Sequence, residues 1–196
     1  QATDDFMYFA SATRGFKSGG WNGRAGEPRL MTRFDEETVW SYEVGTRAEW
    51  FDNRFRTNVT LFDVTYSDLQ LPALAFQPGP GEAPTFVTNN AGALNVRGAE
   101  IELSAQVAEG FNIYGNIGLQ DAKYTKINAA AAASGFILGV TVPQRAPEST
   151  IQAGFDYTQY VDDLRGDVTL AADIQITDDY WMSGQNPLDS FNPGFE

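Results

Sequence analysis

The sequence contains no cysteine and no histidine. Without cysteine, neither a disulfide framework nor a thiolate metal site can form. Without histidine, the chain lacks the commonest catalytic base and the usual zinc and haem ligand. These two absences exclude most catalytic constellations, and the sequence predicts no enzyme, no cofactor and no metal site.

Basic residues are scarce as well. The 13 Lys and Arg residues face 26 Asp and Glu residues, which gives a formal net charge of −13. Nucleic-acid binding needs a basic surface to meet phosphates, so we expect no nucleic-acid partner.

Long apolar runs are also missing. Unbroken apolar stretches extend over only a few residues, far short of the roughly 18 to 20 that a helical membrane span requires. The first residues, QATDDFMYF, carry neither the basic nor the apolar segment of a signal peptide. We therefore expect a chain without transmembrane helices, which either has lost a signal peptide or begins inside a longer protein.

Aromatic residues and glycines are plentiful: aromatics make up 13% of the 196 residues, and there are 19 glycines. This composition suits strands and turns better than helices. Between residues 36 and 62, Trp40, Tyr42 and Val44 alternate with Ser41 and Glu43, which is the period of a β-strand. The same alternation, bounded by Gly, Pro, Asn and Asp, predicts seven strands at about 4–14, 38–51, 54–71, 85–107, 111–124, 148–160 and 165–177.

The connections between these strands alternate in length. Residues 52–53, 108–110 and 161–164 form tight hairpins, whereas 15–37, 72–84, 125–147 and the segment after 178 are long. Short turns at one end and long loops at the other are typical of outer-membrane barrels, in which the turns are periplasmic and the loops extracellular. The pattern predicts an all-β antiparallel meander that forms part of a transmembrane barrel.

Two rows of side chains support this prediction. Trp and Tyr prefer the membrane interface, and the predicted interface aromatics are Trp40, Tyr42, Trp50, Phe111 and Tyr157. Burying unpaired charges in a dry core would cost several kcal/mol each, whereas a wet barrel interior removes most of that cost. The predicted lumen-lining residues are Glu43, Arg47, Glu49, Arg56, Arg97, Glu100 and Glu102.

Five segments together resemble a known family, the TonB-dependent outer-membrane receptors. The similarity is strongest to receptors for ferric siderophores and covers the C-terminal half of their barrel. The segments are YFASATRGFKSGGWN (8–22), YEVGTRAEWFDNRFRTNVTLF (42–62), YSDLQ (66–70), NNAGALNVRGAEIEL (89–103) and VPQRAPE (142–148).

The resemblance implies a location and an energy source. Such receptors have an N-terminal plug domain with a TonB box and a barrel of 22 strands in the outer membrane of Gram-negative bacteria. The implied function is active uptake of a scarce ligand, most of all a ferric siderophore, energised by TonB through the plug. The implied partners are outer-membrane lipid, lipopolysaccharide, the TonB complex and a small ferric chelate.

The chain departs from the family pattern in extent. Residues 1–196 show no plug and no TonB box, about seven strands instead of 22, and a last residue, Glu196, that is not aromatic. We therefore expect a fragment of the barrel domain, either a truncated gene product or part of a longer chain.

Candidate ligand contacts lie in and around the first long loop. Arg14, Lys17, Trp21, Asn22 and Arg24 could bind an anionic ferric chelate or stack on its rings, although an ordinary loop has the same composition. In the same way, the lumen-lining charges either contact the plug or merely line a solvated wall.

Alternative functions remain open at this level. The missing histidine counts against haem as the ligand, whereas siderophore, cobalamin and carbohydrate uptake are not distinguished. A passive porin-like or adhesin barrel is one alternative. A soluble β-sandwich that binds carbohydrate through Trp21 and Trp181 is the remaining alternative.

Overall fold

The computed structural model describes residues 5–23, 28–74, 85–182 and 191–194. Seven long strands follow one another along the chain: β1 (Phe6–Lys17), β4 (Glu37–Trp50), β5 (Phe55–Leu74), β6 (Phe86–Ala108), β7 (Phe111–Ile127), β8 (Ser149–Val161) and β9 (Gly166–Thr177). The minor elements are the short strands β2 (Gly20–Trp21), β3 (Arg33–Phe34), β10 (Tyr180–Trp181) and β11 (Phe191–Asn192), the helix α1 (Ala129–Ala133), and 3-10 turns at Pro28–Leu30 and Asp162–Leu164.

The long strands form one antiparallel sheet in the order β1-β4-β5-β6-β7-β8-β9. Neighbours in the sheet are therefore neighbours along the chain, apart from the small β2–β3 hairpin between β1 and β4. Tight turns join β4 to β5, β6 to β7 and β8 to β9, and the longer connections lie at the other end. The predicted seven-stranded meander is confirmed. Within the described residues the sheet is open, with β1 and β9 at its edges.

The register assigns the two predicted rows to opposite faces. On one face Arg56 pairs with Glu49, with Nε 3.1 Å from Oε1. On the other face Trp50 donates its Nε1–H to Thr57 Oγ1 and packs edge-on against Phe6. We call the face that carries Glu49 the polar face and the face that carries Trp50 the apolar face.

No second layer covers the apolar face within the described ranges. The side chains of Trp40 and Trp50 are 42% and 40% exposed, and that of Leu170 is 62% exposed. The buried apolar residues of the described chain are few and small or lie among the loops: Leu30, Ala48, Val87, Ala91, Ala131 and Phe136. A soluble sandwich would bury its apolar row against a second sheet, so this arrangement argues against the sandwich alternative.

Two strands, β5 and β7, continue past their predicted ends toward the long loops, beyond irregularities in the strand pairing. β5, β6 and β7 shift register between Ser67 and Leu69 and between Ala93 and Leu94. Asp68 and Gly92 adopt positive φ angles of 54° and 152° at these shifts. A side chain at Gly92 would meet the carbonyl of Lys126, so only glycine fits there. The extended strands carry a platform on which the loop segments pack.

Helices play a minor part. None of the helices in the described portion is long and apolar enough to cross a membrane.

Candidate functional site

The polar face of β4, β5 and β6 carries six of the seven predicted lumen-lining residues. Odd-numbered residues of β4 and even-numbered residues of β5 and β6 point to this face, as the register pairs Arg47 with Asn58 and Asn58 with Glu102. The six are Glu43, Arg47, Glu49, Arg56, Glu100 and Glu102. They share one face of the sheet, on which they form a charged wall; that this wall lines a barrel interior stays a prediction.

Some of these charges have partners across the strands. Besides the Glu49–Arg56 ion pair, Asn58 Nδ2 donates to Glu102 Oε2 at 2.9 Å. The guanidinium of Arg47 lies 5.7 Å from the centre of the Phe9 ring, at cation–π distance.

The wall has more carboxylates than cations. Glu43 accepts a hydrogen bond from Ser41 Oγ at 3.2 Å. Within the part of the chain that the structure describes, Glu43, Glu100 and Glu102 form no ion pair with a Lys or Arg side chain. The wall of the described strands therefore presents unpaired carboxylates that suit a cationic partner.

Three aromatic rings on the polar face lie over glycines of the adjacent strand. Phe9 is directly opposite Gly45, and Phe62 is directly opposite Gly98. The third pair is Tyr114 with Gly154. In each pair a Cβ added to the glycine would collide with the ring. Glycine thus leaves room for each ring to lie against the sheet.

Arg97 is a correction to the predicted wall. It lies directly opposite Asp63 and Asp121 and on the same face as Ala99 and Leu119, the apolar face. Its Nη2 lies 3.1 Å from Asp121 Oδ2. The prediction that Arg97 lines the polar face is therefore wrong. Side chains alternate along β6, so Arg97 shares the apolar face with Ala99, whereas Glu100 points to the polar face.

The predicted interface aromatics all lie on the apolar face. Near the long loops, Trp40 and Tyr42 stack with ring centroids 5.8 Å apart and an interplanar angle of 7°. Near the short turns, Phe111 makes edge contacts with Phe155 and Tyr157. Trp50 at the same end packs on Phe6. Their contact with a membrane interface stays a prediction.

The predicted ligand-contacting residues are dispersed. Arg14 and Lys17 belong to β1 and not to the following loop, and Arg14 is opposite Trp40 on the apolar face. Trp21 lies in β2 opposite Arg33 and is 70% exposed. Arg24 lies outside the described residues.

The side chain of Asn22 links the β2–β3 hairpin to the sheet. Its side-chain amide donates to the carbonyl of Thr88 at 3.0 Å and accepts from the Thr88 N–H at 2.8 Å. It also donates to Thr32 Oγ1 within its own hairpin. The amide group thereby fastens the β2–β3 hairpin to strand β6.

Gln70 and Asn90, which are opposite each other in β5 and β6, hold the same hairpin from the sheet side. Gln70 is buried, and its Nε2 donates to the carbonyls of Ser18 at 3.1 Å and Asp35 at 3.0 Å. Asn90 donates to the Asp35 carbonyl and accepts from the Asp35 N–H. Three carboxamide side chains, those of Asn22, Gln70 and Asn90, thus hold the first long loop against the sheet.

A second loop segment meets the same junction. Asn128, the N-cap of α1, accepts from the Ala131 N–H and donates to the Asn90 carbonyl. Ala131 and Phe136 pack with Ala91, and the Phe136 ring contacts Tyr124 edge-on. Asn90 therefore joins the two loop segments through β6.

Sequence reasoning assigned no role to Gln70, Asn90 or Asn128. The signal available was weak: carboxamide residues stand in the segments YSDLQ and NNAG, where a strand pattern meets loop residues. The Ser18 and Asp35 carbonyls lie 52 and 35 positions from Gln70, and Asp35 lies 55 positions from Asn90, so local patterns do not reveal these partners.

Metal ligation finds no support in the described ranges. No group of three or more Asp or Glu side chains there is placed to hold a metal ion.

The sheet is an open antiparallel meander with one polar face and one apolar face, and its long loops lie at one end. This arrangement is typical of the wall of an outer-membrane barrel. The model of the family described as TonB dependent receptor-like, beta-barrel, matches residues 1–195. The chain belongs to this family.

Solved structures with the same fold include siderophore receptors. The ferric yersiniabactin uptake receptor FyuA from Yersinia pestis aligns with a TM-score of 0.73 at 19% identity, over 98% of this chain and 26% of FyuA. BauA, the ferric preacinetobactin receptor from Acinetobacter baumannii, aligns with a TM-score of 0.68 at 18% identity, over 100% of this chain and 26% of BauA. The siderophore receptor PiuA from the same organism gives 0.69 at 16% identity, over 100% of this chain and 27% of PiuA. The chain thus spans about a quarter of the length of these receptors, and the likeness concerns the fold.

Proposed function

We propose that this chain is a segment of an outer-membrane active transporter that takes up a ferric siderophore in a Gram-negative bacterium, driven by TonB. The observation that carries the proposal is the two-faced sheet of a family whose members are transporters and not enzymes. Solved relatives named as siderophore receptors support the choice of ligand class.

The membrane contact follows from the exposed apolar face. Val44, Leu61 and Leu119 lie on three different strands and are exposed, so in water this face would hold a contiguous apolar patch larger than soluble monomers tolerate. Lipid on this face removes that cost. The open edges at β1 and β9 pair with further strands of the same barrel, because unpaired strand edges invite association.

The polar wall supports contact with a plug. Glu43, Glu100 and Glu102 present carboxylates that lack cationic partners within the described wall, so they suit a cationic segment in the interior. A hydrogen-bonded, water-accessible contact of this kind can break and re-form when TonB pulls the plug, since exposed ion pairs are each worth only about 0–1 kcal/mol.

Ligand capture belongs to the seated hairpin. Trp21 presents an exposed ring, and Lys17 ends the strand that leads to it. An anionic chelate with planar rings would meet a stacking surface and a cation there. The Asn22, Gln70 and Asn90 contacts hold that surface in place before the ligand arrives, which reduces the ordering cost of binding.

Growth under iron limitation tests the proposal. Deletion of the gene is expected to abolish growth on at least one ferric siderophore, and deletion of tonB is expected to have the same effect. In the complete receptor, Trp21→Ala should weaken the apparent affinity for that siderophore about three- to tenfold, the worth of one lost aromatic contact.

Phe51→Ala is the matched control, since Phe51 is an equally exposed aromatic in the turn at the opposite end of the sheet. Uptake that persists without tonB would instead support the passive porin-like alternative. Unchanged growth of the deletion strain on every ferric siderophore tried would refute the choice of ligand.

A further inference from the structure

The first part of β6 lacks a neighbouring strand on one side. β7 ends at Ile127, which is directly opposite Gly92. Within the described residues, the part of β6 that precedes Gly92 therefore has no partner in β7, although β5 still pairs with it on the other side. We call residues 88–91 of this part the β6 edge. An edge of this kind has backbone N–H and C=O groups that need other partners.

Asn22 supplies such partners to the first residue of the β6 edge. Thr88 is directly opposite Pro72 of β5, and proline has no N–H to donate. The Thr88 N–H donates to Asn22 Oδ1 at 2.8 Å, and the Thr88 carbonyl accepts from Asn22 Nδ2 at 3.0 Å. The carboxamide thus bonds both backbone groups of Thr88, as a residue of a neighbouring strand would. The β2–β3 hairpin is attached to the edge at this point.

The α1 segment, residues 128–136, attaches to the following residues of the same edge. Asn128 Nδ2 donates to the Asn90 carbonyl, and the backbone N–H of Asn128 donates to the Ala91 carbonyl at 2.7 Å. The buried ring of Phe136 belongs to the same apolar cluster as Ala91. The two loop segments are therefore held by neighbouring residues of one short stretch of strand.

Neither segment is long enough to be ordered without the edge. The strands of the hairpin have two residues each, and α1 has five residues. Hairpins and helices of this size are marginal in water. Asn90 bonds both segments, because its side chain exchanges two hydrogen bonds with the backbone of Asp35 and its carbonyl accepts from Asn128. Detachment of one segment leaves groups of the edge unpaired, so the edge frays and the other segment is held less firmly.

We propose that the β2–β3 hairpin and the α1 segment form one cooperative unit, in which the β6 edge couples the attachment of each segment to that of the other. Proteins open locally in such units, and a coupling free energy acts equally in both directions. Asn90 is the positioning residue that the two segments share. The coupling itself does not depend on transport. Its consequence for uptake, that a ligand held at Trp21 also orders α1, rests on the proposed function.

Amide hydrogen exchange of the complete receptor, without ligand and followed by mass spectrometry, tests the coupling. The amides of Asn22 and Thr32, which are hydrogen-bonded within the hairpin, report its opening. The amides of Ala132 and Phe136 donate to carbonyls within the α1 segment and report the opening of that segment.

Two variants detach one segment each. Asn128→Ser keeps a side-chain oxygen that can cap α1 but removes the amide that donates to the Asn90 carbonyl. We expect it to accelerate exchange in the hairpin about fivefold or more. Asn22→Ala removes both bonds to Thr88 and is expected to accelerate exchange in the α1 segment by a similar factor. The matched control is Asn116→Ala, which removes a carboxamide from the polar face and should leave both segments unchanged.

Independent opening would overturn the inference. It would appear as an effect of Asn128→Ser on the α1 amides alone, or of Asn22→Ala on the hairpin amides alone. The wild type provides a second test that needs no variant: at rising, sub-denaturing urea concentrations the amides of both segments should converge on one opening free energy. Separate values for the two segments would equally refute the coupling. Growth on siderophores is a different readout, so failure of the proposed function is distinguishable from failure of this inference.

Discussion

Two glycines on the polar face, in adjacent strands, have different surroundings. A Cβ at Gly98 would collide with the Phe62 ring and the Leu119 carbonyl. A Cβ at Gly118 would have only the Thr150 carbonyl near it, at 4.0 Å. At the scale of single residues, therefore, Gly98 leaves space only for a hydrogen atom beneath the Phe62 ring, whereas Gly118 has room for a methyl group.

Gly98→Ala is expected to destabilise the barrel by about 1–3 kcal/mol, because the ring and the backbone must both shift. Gly118→Ala is expected to be neutral within about 0.5 kcal/mol. The measurement is the urea midpoint of the complete receptor refolded into lipid vesicles. Equal midpoints for the two variants would contradict the collision inferred at Gly98.

At the scale of elements, the β2–β3 hairpin has little structure of its own. Its two strands have two residues each, and hydrogen bonds from the side chains of Asn22, Gln70 and Asn90 hold it against the sheet. A short hairpin of this kind is marginal in isolation. The carboxamide contacts therefore determine whether Trp21 is presented in a fixed position.

Gln70→Leu removes the Nε2 donor from the Ser18 carbonyl and from the Asp35 carbonyl, although the latter retains its bond from Asn90 Nδ2, and the expected loss is about 1–3 kcal/mol. We expect amide hydrogen exchange at Asn22 and Thr32, which are hydrogen-bonded within the hairpin, to accelerate about tenfold or more.

The matched control is Gln106→Leu, an exposed glutamine on the polar face far from the hairpin. Hydrogen exchange followed by mass spectrometry on both variants makes the comparison. If the hairpin amides of the Gln70→Leu variant exchanged as slowly as those of the wild type, contacts other than those of Gln70 would hold the hairpin in place.

At the scale of the whole molecule, the proposed membrane orientation places lipid against the apolar face of the sheet and water against the polar face. Ile101 lies between Val59 and Ile117 on the apolar face, and Glu102 lies between Asn58 and Asn116 on the polar face. These two consecutive residues are thus exposed to opposite surroundings if the barrel spans a membrane.

Ile101→Arg is expected to cost about 2–4 kcal/mol, the value for a cation at the bilayer midplane of a barrel. Glu102→Arg should cost less than about 1 kcal/mol, because water reaches that side. Equilibrium unfolding of the complete receptor in lipid vesicles gives both values. A larger cost at Glu102 than at Ile101 would reverse the assignment of the faces and remove the membrane orientation.

Much of the fold was accessible from the sequence. The alternation of Trp40, Tyr42 and Val44 with Ser41 and Glu43 predicts both the strand and its two faces, because side chains of a strand alternate with a period of two. Tight turns at 52–53, 108–110 and 161–164 are equally local. The strands β5 and β7 extend further toward the long loops than predicted because register shifts at Asp68 and Gly92 disrupt the alternation there.

The sequence by itself thus determined the strand order, the turn positions and the shared face of six of the seven charged residues predicted to line the lumen, since these features depend on neighbouring residues. Only the tertiary structure decided the position of Arg97 beside Asp121 and the seating of the first loop by Gln70 and Asn90. The reason is physical: the alternation along β6 fixes the face on which Arg97 lies but not its partner across the strands, and a carboxamide carries no mark of which distant carbonyl it will bind. Both choices are made by partners that come close only when the strands have paired.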